Sequence, residues 1–286
     1  MKRRLISFIP ALLATFLCGA CQRKGVEGAK PRLVTFSPAL TDLVFDMGLG
    51  DHVVAVTSQC QLPPGQQRRI VGDAFTVNTE AILSVQPDAL LIQMDPRQFE
   101  VVRKIKPDVG IEHFTIEKID DVTAAVERIG RIVGKEEVGK LAAERFRGEL
   151  DAVRRRVADR PRPRVLFVMG YKEPSTAGGG TFVGEMIEIA GGRNAAAESY
   201  DGWKSLNLEY ILSARPDVLV CWTAPNEANE AREYWSGLRD LPAVRERRVL
   251  VVTERDWTIP TTRLAGYVSR LADLIHPETT PGGAPR

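Results

Sequence analysis

A chain of 286 residues with 39 Lys plus Arg against 37 Asp plus Glu is close to neutral, at a formal +2, which argues against nucleic acid as its partner. Its histidines, His52, His113 and His276, stand far apart, with no HExxH and no pair at ligand spacing, so a resident zinc or manganese centre has no support. Beyond the N-terminus no stretch is apolar enough to cross a bilayer.

Lys2, Arg3 and Arg4 precede an apolar run from Leu5 to Leu17 that is short for a membrane span, so residues 1–20 are expected to be a signal peptide. The run closes on Cys18-Gly19-Ala20-Cys21. Small residues ahead of a cysteine resemble a bacterial lipobox with Cys21 as the acylated residue, although Cys18 stands where Leu is usual. Residues 21–31, polar and Gly-containing, read as a tether, which places the protein outside the cytoplasm, periplasmic or membrane-anchored; plain secretion without lipid is the alternative. Loss of residues 1–20 leaves 36 basic against 37 acidic side chains.

The first strand is expected over Arg32–Phe36, then Ser37-Pro38 opens a helix with Leu40, Leu43, Val44 and Met47 on its apolar face, and Gly48-Leu49-Gly50 stops it. Val53–Val56 follows as a strand, and strand, helix, strand in short succession suggests a parallel α/β layer. Further strands are expected over Asp88–Gln93 and Gly110–Phe114, with a helix over Asp120–Val133. From Lys135 to Arg160, Val138, Leu141, Phe146, Leu150, Val153 and Val157 recur at mostly three- and four-residue steps, the pattern of one amphipathic helix about 39 Å long. Pro161 and Pro163 end it. A strand–helix pattern then resumes through Arg164–Met169, Phe182–Ile189, Val218–Trp222 and Val249–Val252. The expected architecture is α/β: two Rossmann-like lobes, residues 32–134 and 161–278, joined by a single long helix over residues 135–160, with a disordered tail over residues 279–286. One connecting helix is stiffer than paired strands, so modest breathing around a fixed cleft is expected in place of wide hinge closure.

Residues 77–91 and 206–220 repeat one another. Asn, Glu, Ile, Leu, Ser, Pro, Asp and Leu recur at an offset of 129 residues, as Asn78, Glu80, Pro87 and Asp88 and again as Asn207, Glu209, Pro216 and Asp217. Each copy reads as an Asn-capped short helix, with Glu in its first turn, feeding a buried strand through Pro-Asp. Alone, such a segment is scaffold. Repeated in both lobes, its two exposed carboxylates suit two equivalent sites on a symmetric partner.

Other motifs weigh less. Cys60 and Cys221 are either a cross-link or two free thiols. Gly178-Gly179-Gly180 lacks the Gly-Lys-Ser/Thr of a phosphate loop, and Gly48-Leu49-Gly50 lacks the third glycine of a dinucleotide fingerprint. Ser37 has no nucleophile-elbow context, and no catalytic constellation is present. Arg154, Arg155, Arg156, Arg160, Arg162 and Arg164 suggest either an anionic-lipid patch or, more plainly, a solvated helix face.

Taken in order, Phe36-Ser37-Pro38-Ala39-Leu40-Thr41-Asp42-Leu43, Val56-Thr57-Ser58 with Pro63-Pro64, the repeat, the long helix, Gly191-Gly192-Arg193-Asn194, Glu233-Tyr234-Trp235 and Asp256-Trp257 resemble the substrate-binding proteins of ABC importers for vitamin B12, iron-siderophores and haem. The B12-binding proteins are the most similar, through Tyr234-Trp235, Trp203 six residues before Glu209, and Asp256-Trp257. The resemblance implies a monomeric, non-enzymatic protein with no resident cofactor, whose ligand is a corrinoid or other metal chelate. It implies a cleft involving Ser37, Pro38, Phe75, Trp203, Asp256 and Trp257, and docking of Glu80 and Glu209 on a permease dimer that works with ATPase subunits. Leu62, Ala74, Gln93 and Ser175 depart from the pattern where it places aromatics, as does Pro260 where an arginine is usual; Phe75 fills part of that space, and Tyr171 and Trp222 are further aromatic candidates. A ferric siderophore or haem, or an envelope sensor or scaffold without transport, are the alternatives.

Overall fold

The structure is a computed structural model that describes residues 30–277. The expected signal peptide, Cys21, most of the tether and the C-terminal tail lie outside the described residues.

The first lobe opens with β1 (Leu33–Thr35) and α1 (Pro38–Asp46). Ser37 caps α1 in an extended conformation, accepting from Leu40 N at 3.4 Å, and Pro38 supplies the preset φ of a first helical position. Then come β2 (Val53–Val56), β3 (Arg69–Ile70), α2 (Thr79–Ser84), β4 (Ala89–Ile92), α3 (Glu100–Ile105) and β5 (Gly110–His113). The strands form one parallel sheet in the order β3-β2-β1-β4-β5. The sheet is buried on both faces: Leu33, Val53, Val56 and Leu91 join one core, and Val34, Ala55, Leu90 and Ile92 join another with Ile82 and Phe99.

α4 (Ile119–Ile132) turns at Gly134 into α5 (Glu136–Val157). α5 is the expected connecting helix, slightly shorter than its sequence pattern, with its apolar stripe Phe146, Leu150, Val153 and Val157 buried. Gly130 of α4 and Gly139 of α5 set the closest approach of the two helices: a Cβ on Gly139 would stand 2.7 Å from Val126 O. Through α5 the core cluster of the first lobe runs without a break into Val165, Phe167, Val218 and Val220 of the second.

The second lobe comprises β6 (Arg164–Met169), β7 (Ser175–Ala177), α6 (Phe182–Ile189), β8 (Arg193–Asn194), β9 (Trp203–Ser205), α7 (Leu208–Ala214), β10 (Val218–Trp222), α8 (Ala228–Ser236), α9 (Pro242–Arg245), β11 (Val249–Val252) and α10 (Leu264–Ile275). Its sheet runs β11-β10-β6-β7-β9, with β8 beside β6. It is not wholly parallel, because β7 runs antiparallel to β6 and β9 antiparallel to β7. Those two strands are three residues long, and β9 is exposed throughout, so neither carries a hydrophobic pattern.

The repeat is matched bond for bond. Asp88 Oδ2 accepts from Arg32 N at 2.8 Å, and Asp217 Oδ2 accepts from Arg164 N at 2.8 Å. Each arginine then folds its guanidinium onto the end of the preceding helix, Arg32 on Val85 O at 2.9 Å and Arg164 on Ala214 O at 3.0 Å. Gln86 and Arg215, at matching positions, take left-handed backbone with φ 45° and 43°. Non-glycine residues seldom adopt this region, and here it turns the chain into each Pro-Asp.

Candidate ligand cleft and lobe tips

Asp42, in α1 just beyond β1, meets Arg255, three residues beyond β11. The carboxyl ends of the two sheets therefore face one another, which is where open α/β sheets place ligands. On the first-lobe side Ser37 is 5 % exposed and donates to Gln93 Oε1, so its hydroxyl is already engaged, while Pro38 is half-buried. Cys60 Sγ accepts from Thr41 Oγ1 at 3.1 Å, and Thr41 pairs with Thr35 at 2.6 Å. On the second-lobe side Tyr171 is buried and donates to Glu230 Oε2 at 2.6 Å, and Trp222 is half-buried with its indole N–H on Glu254 O.

Between the lobes lies an ionic cluster. Arg263 reaches Asp42 at 2.6 Å, Asp46 at 3.1 Å and Asp256 at 2.7 Å, and Arg255 reaches Asp42 at 2.5 Å. Burial pushes the Asp42 and Asp46 carboxyls above the usual carboxylate range, against the pull of the arginines. The same burial works against the Arg263 charge, but Asp46, Asp42 and Asp256 outweigh it and hold its pKa up. Asp256 is thus an ion-pair partner, bordering a cavity of about 410 Å³ whose far wall is Arg145 and Glu149 of α5.

The aromatic expectations divide. Phe75 is 86 % exposed, at the tip of a loop in which Asp73 Oδ1 accepts from Phe75 N at 2.7 Å and Thr76 N at 2.8 Å. Gly72, at φ 157°, closes that loop so tightly that a Cβ would stand 2.3 Å from Thr76 O. Trp203 is 46 % exposed on β9, its ring centroid 5.8 Å from that of Phe182. Trp257 corrects the sequence reading: it is fully buried against Tyr267, with no face left for a ligand.

At the lobe tips Asn78 Oδ1 accepts from Ala81 N at 2.9 Å and Asn207 Oδ1 from Tyr210 N at 2.8 Å. Glu80 and Glu209 sit in the first turns of these capped helices, both exposed, and neither forms an ion pair or side-chain hydrogen bond among the described residues. The other residues of the repeat are used by the fold. Asn caps the helix, Ile packs into the core, Ser bonds to the carbonyl three residues back, and Asp ties down the neighbouring strand. The glutamates have no such part in it.

The sequence profile of the periplasmic binding protein family matches residues 33–255. The chain belongs to the periplasmic binding protein family. This binding protein is 28% identical over 259 residues to an uncharacterized ABC transporter substrate-binding lipoprotein of Bacillus subtilis, covering 87% of this chain and 81% of the relative. It is 28% identical over 266 residues to a cobalamin-binding protein of Halobacterium salinarum, covering 89% and 72%. Among solved structures, the periplasmic haem-binding protein RhuT of Roseiflexus superposes with a TM-score of 0.73 at 25% identity, covering 87% of this chain and 98% of that one. The family resemblance and the two-lobed α/β fold read from the sequence are both met.

In this periplasmic binding protein the basic cluster is largely paired within the fold, Arg154 with Asp151, Arg156 with Asp273, Arg162 with Glu188 and Arg164 with Glu198. Cys60 and Cys221 are free thiols. Gly178 and Gly179 pack on the backbone of residues 200–202 and donate to Gly202 O and Tyr200 O, a structural use of glycine. No group of three or more His, Cys, Asp or Glu placed to hold a metal ion occurs among the described residues. The sequence reading missed Arg263 and the Asp42–Asp46 pair, whose partners lie more than 200 residues away.

Proposed function

We propose that the protein is the extracytoplasmic substrate-binding component of an ABC importer, tethered through Cys21, that captures a corrinoid-like metal chelate between its lobes and presents it to a permease dimer through Glu80 and Glu209. The carrying observation is the duplicated tip: two exposed glutamates on matching Asn-capped helices, in a repeat whose other polar side chains are consumed by the fold. The relatives named as ABC transporter and cobalamin-binding proteins support the same reading. Phe75 and Trp203 offer apolar faces to a planar ligand, with Ser37 and Pro38 at the floor. Asp256, tied to Arg263, contributes through the ionic cluster.

A haem or a ferric siderophore is the second reading. It is favoured by the non-aromatic wall, where Gln93 is bound to Ser37 and Ser175 lies in β7. Calorimetric titration of the full chain with cyanocobalamin, haem and a ferric hydroxamate separates the readings. Saturable heat with cyanocobalamin, weakened about tenfold by Trp203→Ala, supports a corrinoid. Heat from an iron chelate alone transfers the assignment to that ligand. Reversal of both tips, Glu80→Lys with Glu209→Lys, is expected to abolish uptake and leave ligand binding intact; uptake that survives the reversal refutes the docking role.

A further inference from the structure

One guanidinium gathers carboxylates from both lobes. Asp42 and Asp46 are one helical turn apart on α1 and share a face, whereas Arg263 and Asp256 belong to the second lobe, Arg263 lying 217 residues from Asp46 and seven from Asp256. Arg263 gives a separate nitrogen to each acid: Nη2 to Asp42, Nε to Asp46 and Nη1 to Asp256. Arg255 adds a second cation on Asp42, and Thr262 Oγ1 lies 3.4 Å from Asp46. Three carboxylates therefore share two guanidiniums, and the cluster carries one negative charge in excess. Arg145 and Glu149, on the α5 wall of the adjoining cavity, are themselves a pair at 3.9 Å and do not correct the balance.

The Asp42 side chain is 6 % exposed, Asp256 16 % and Asp46 20 %. Charges so far removed from water lose hydration that pairing only partly returns, so a cluster of this kind is a poor source of stability. Its strength is directional: the bonds of Arg263 to Asp42 and Asp46 cross between the lobes, its bond to Asp256 anchors the guanidinium within the second lobe, and loss of this cation leaves three carboxylates to Arg255 alone in a poorly solvated space. The cluster is also well placed to act on the cleft. α1 begins at Ser37, and the turn bearing Arg255 and Asp256 follows directly from the carboxyl end of β11.

We propose that Arg263 is the positioning residue of an interlobe clasp, holding the two cleft walls at a set separation by neutralising Asp42 and Asp46 of one lobe and Asp256 of the other. Asp256 then serves the ligand by fixing the wall, without touching it. The consequence for ligand binding rests on the function proposed above; the clasp itself does not, and its test needs no ligand.

The test is the interlobe distance in the full, ligand-free chain, read by electron dipolar spectroscopy between azido side chains introduced and spin-labelled at the exposed positions Lys104 and Arg239. Arg263→Gln is expected to lengthen and broaden the distance distribution, and addition of Asp42→Asn and Asp46→Asn is expected to return it toward that of the parent. A parental distribution in Arg263→Gln overturns the proposal. So does a broad distribution that charge removal fails to narrow, because that outcome assigns the effect to lost packing. Should Arg263→Gln fail to fold, Arg263→Lys, which keeps the charge but cannot give a separate nitrogen to each of the three acids, is expected to give a broader distribution than the parent, and an equal or narrower one overturns the clasp.

Discussion

Two glycines of α5 make opposite predictions under the same substitution. A Cβ at exposed Gly148 meets nothing within 4 Å, so Gly148→Ala changes only helix propensity and is expected to stabilise by about 1 kcal/mol. At buried Gly139 the same propensity gain applies, but the new Cβ would stand 2.7 Å from Val126 O and 3.1 Å from Glu127 Cα. These are backbone atoms of α4 and cannot rotate aside. Overpacking costs about 1–3 kcal/mol, and backbone resistance places this case near 3, so Gly139→Ala is expected to lose about 2 kcal/mol net. At roughly 2–4 °C per kcal/mol for a chain of this size, thermal unfolding followed by circular dichroism should rise by about 2–4 °C for Gly148→Ala and fall by about 4–8 °C for Gly139→Ala. Midpoints that move in the same direction would refute the claim that glycine sets the α4–α5 approach.

Two further expectations come from thiol and carboxyl chemistry. Burial pushes the Cys221 thiol up to about 11 and leaves it no exposed surface, whereas Cys60 is half-buried; alkylation of the native chain followed by peptide mapping should modify Cys60 and spare Cys221 until the protein unfolds. Burial works against the Glu254 charge, yet bonds from Arg270 and the local backbone outweigh it and hold the carboxyl at about 2. A depressed carboxyl contributes stability above its ordinary value of 4.5 and loses it as pH falls toward 2, so the thermal midpoints of the parent and Arg270→Met should differ above pH 4.5 and converge across that window.

Strands such as Arg164–Met169, Val218–Trp222 and Val249–Val252 were legible because a core strand needs a continuous apolar run, and α5 because its stripe repeats at helical steps. The repeat exposed both lobe tips, since its Asn, Ser and Asp each serve a local bond and only the glutamates do not. What stayed hidden depends on contacts distant in sequence. Asp42 reads as an ordinary polar position on an amphipathic helix until Arg255, 213 residues later, is brought against it. Adjacent Asp256 and Trp257 looked alike as cleft residues, but successive residues of a tight turn diverge, one toward the arginines and the other into the core.

The matched tips carry a consequence for encounter. Under the proposed docking, a two-fold partner that reads only the capped helices and their glutamates has no means of telling one lobe from the other. The binding protein then seats productively in either of two orientations related by half a turn, so the target for a correct collision is doubled. The antiparallel edge strands β7 and β9, present in the second lobe alone, leave that equivalence intact, because half a turn brings them to the same surface of a two-fold partner. A single cross-linker beside Glu80 should therefore join in equal amounts to two differently tagged copies of the permease subunit, and a bias toward one would show that the partner is not two-fold.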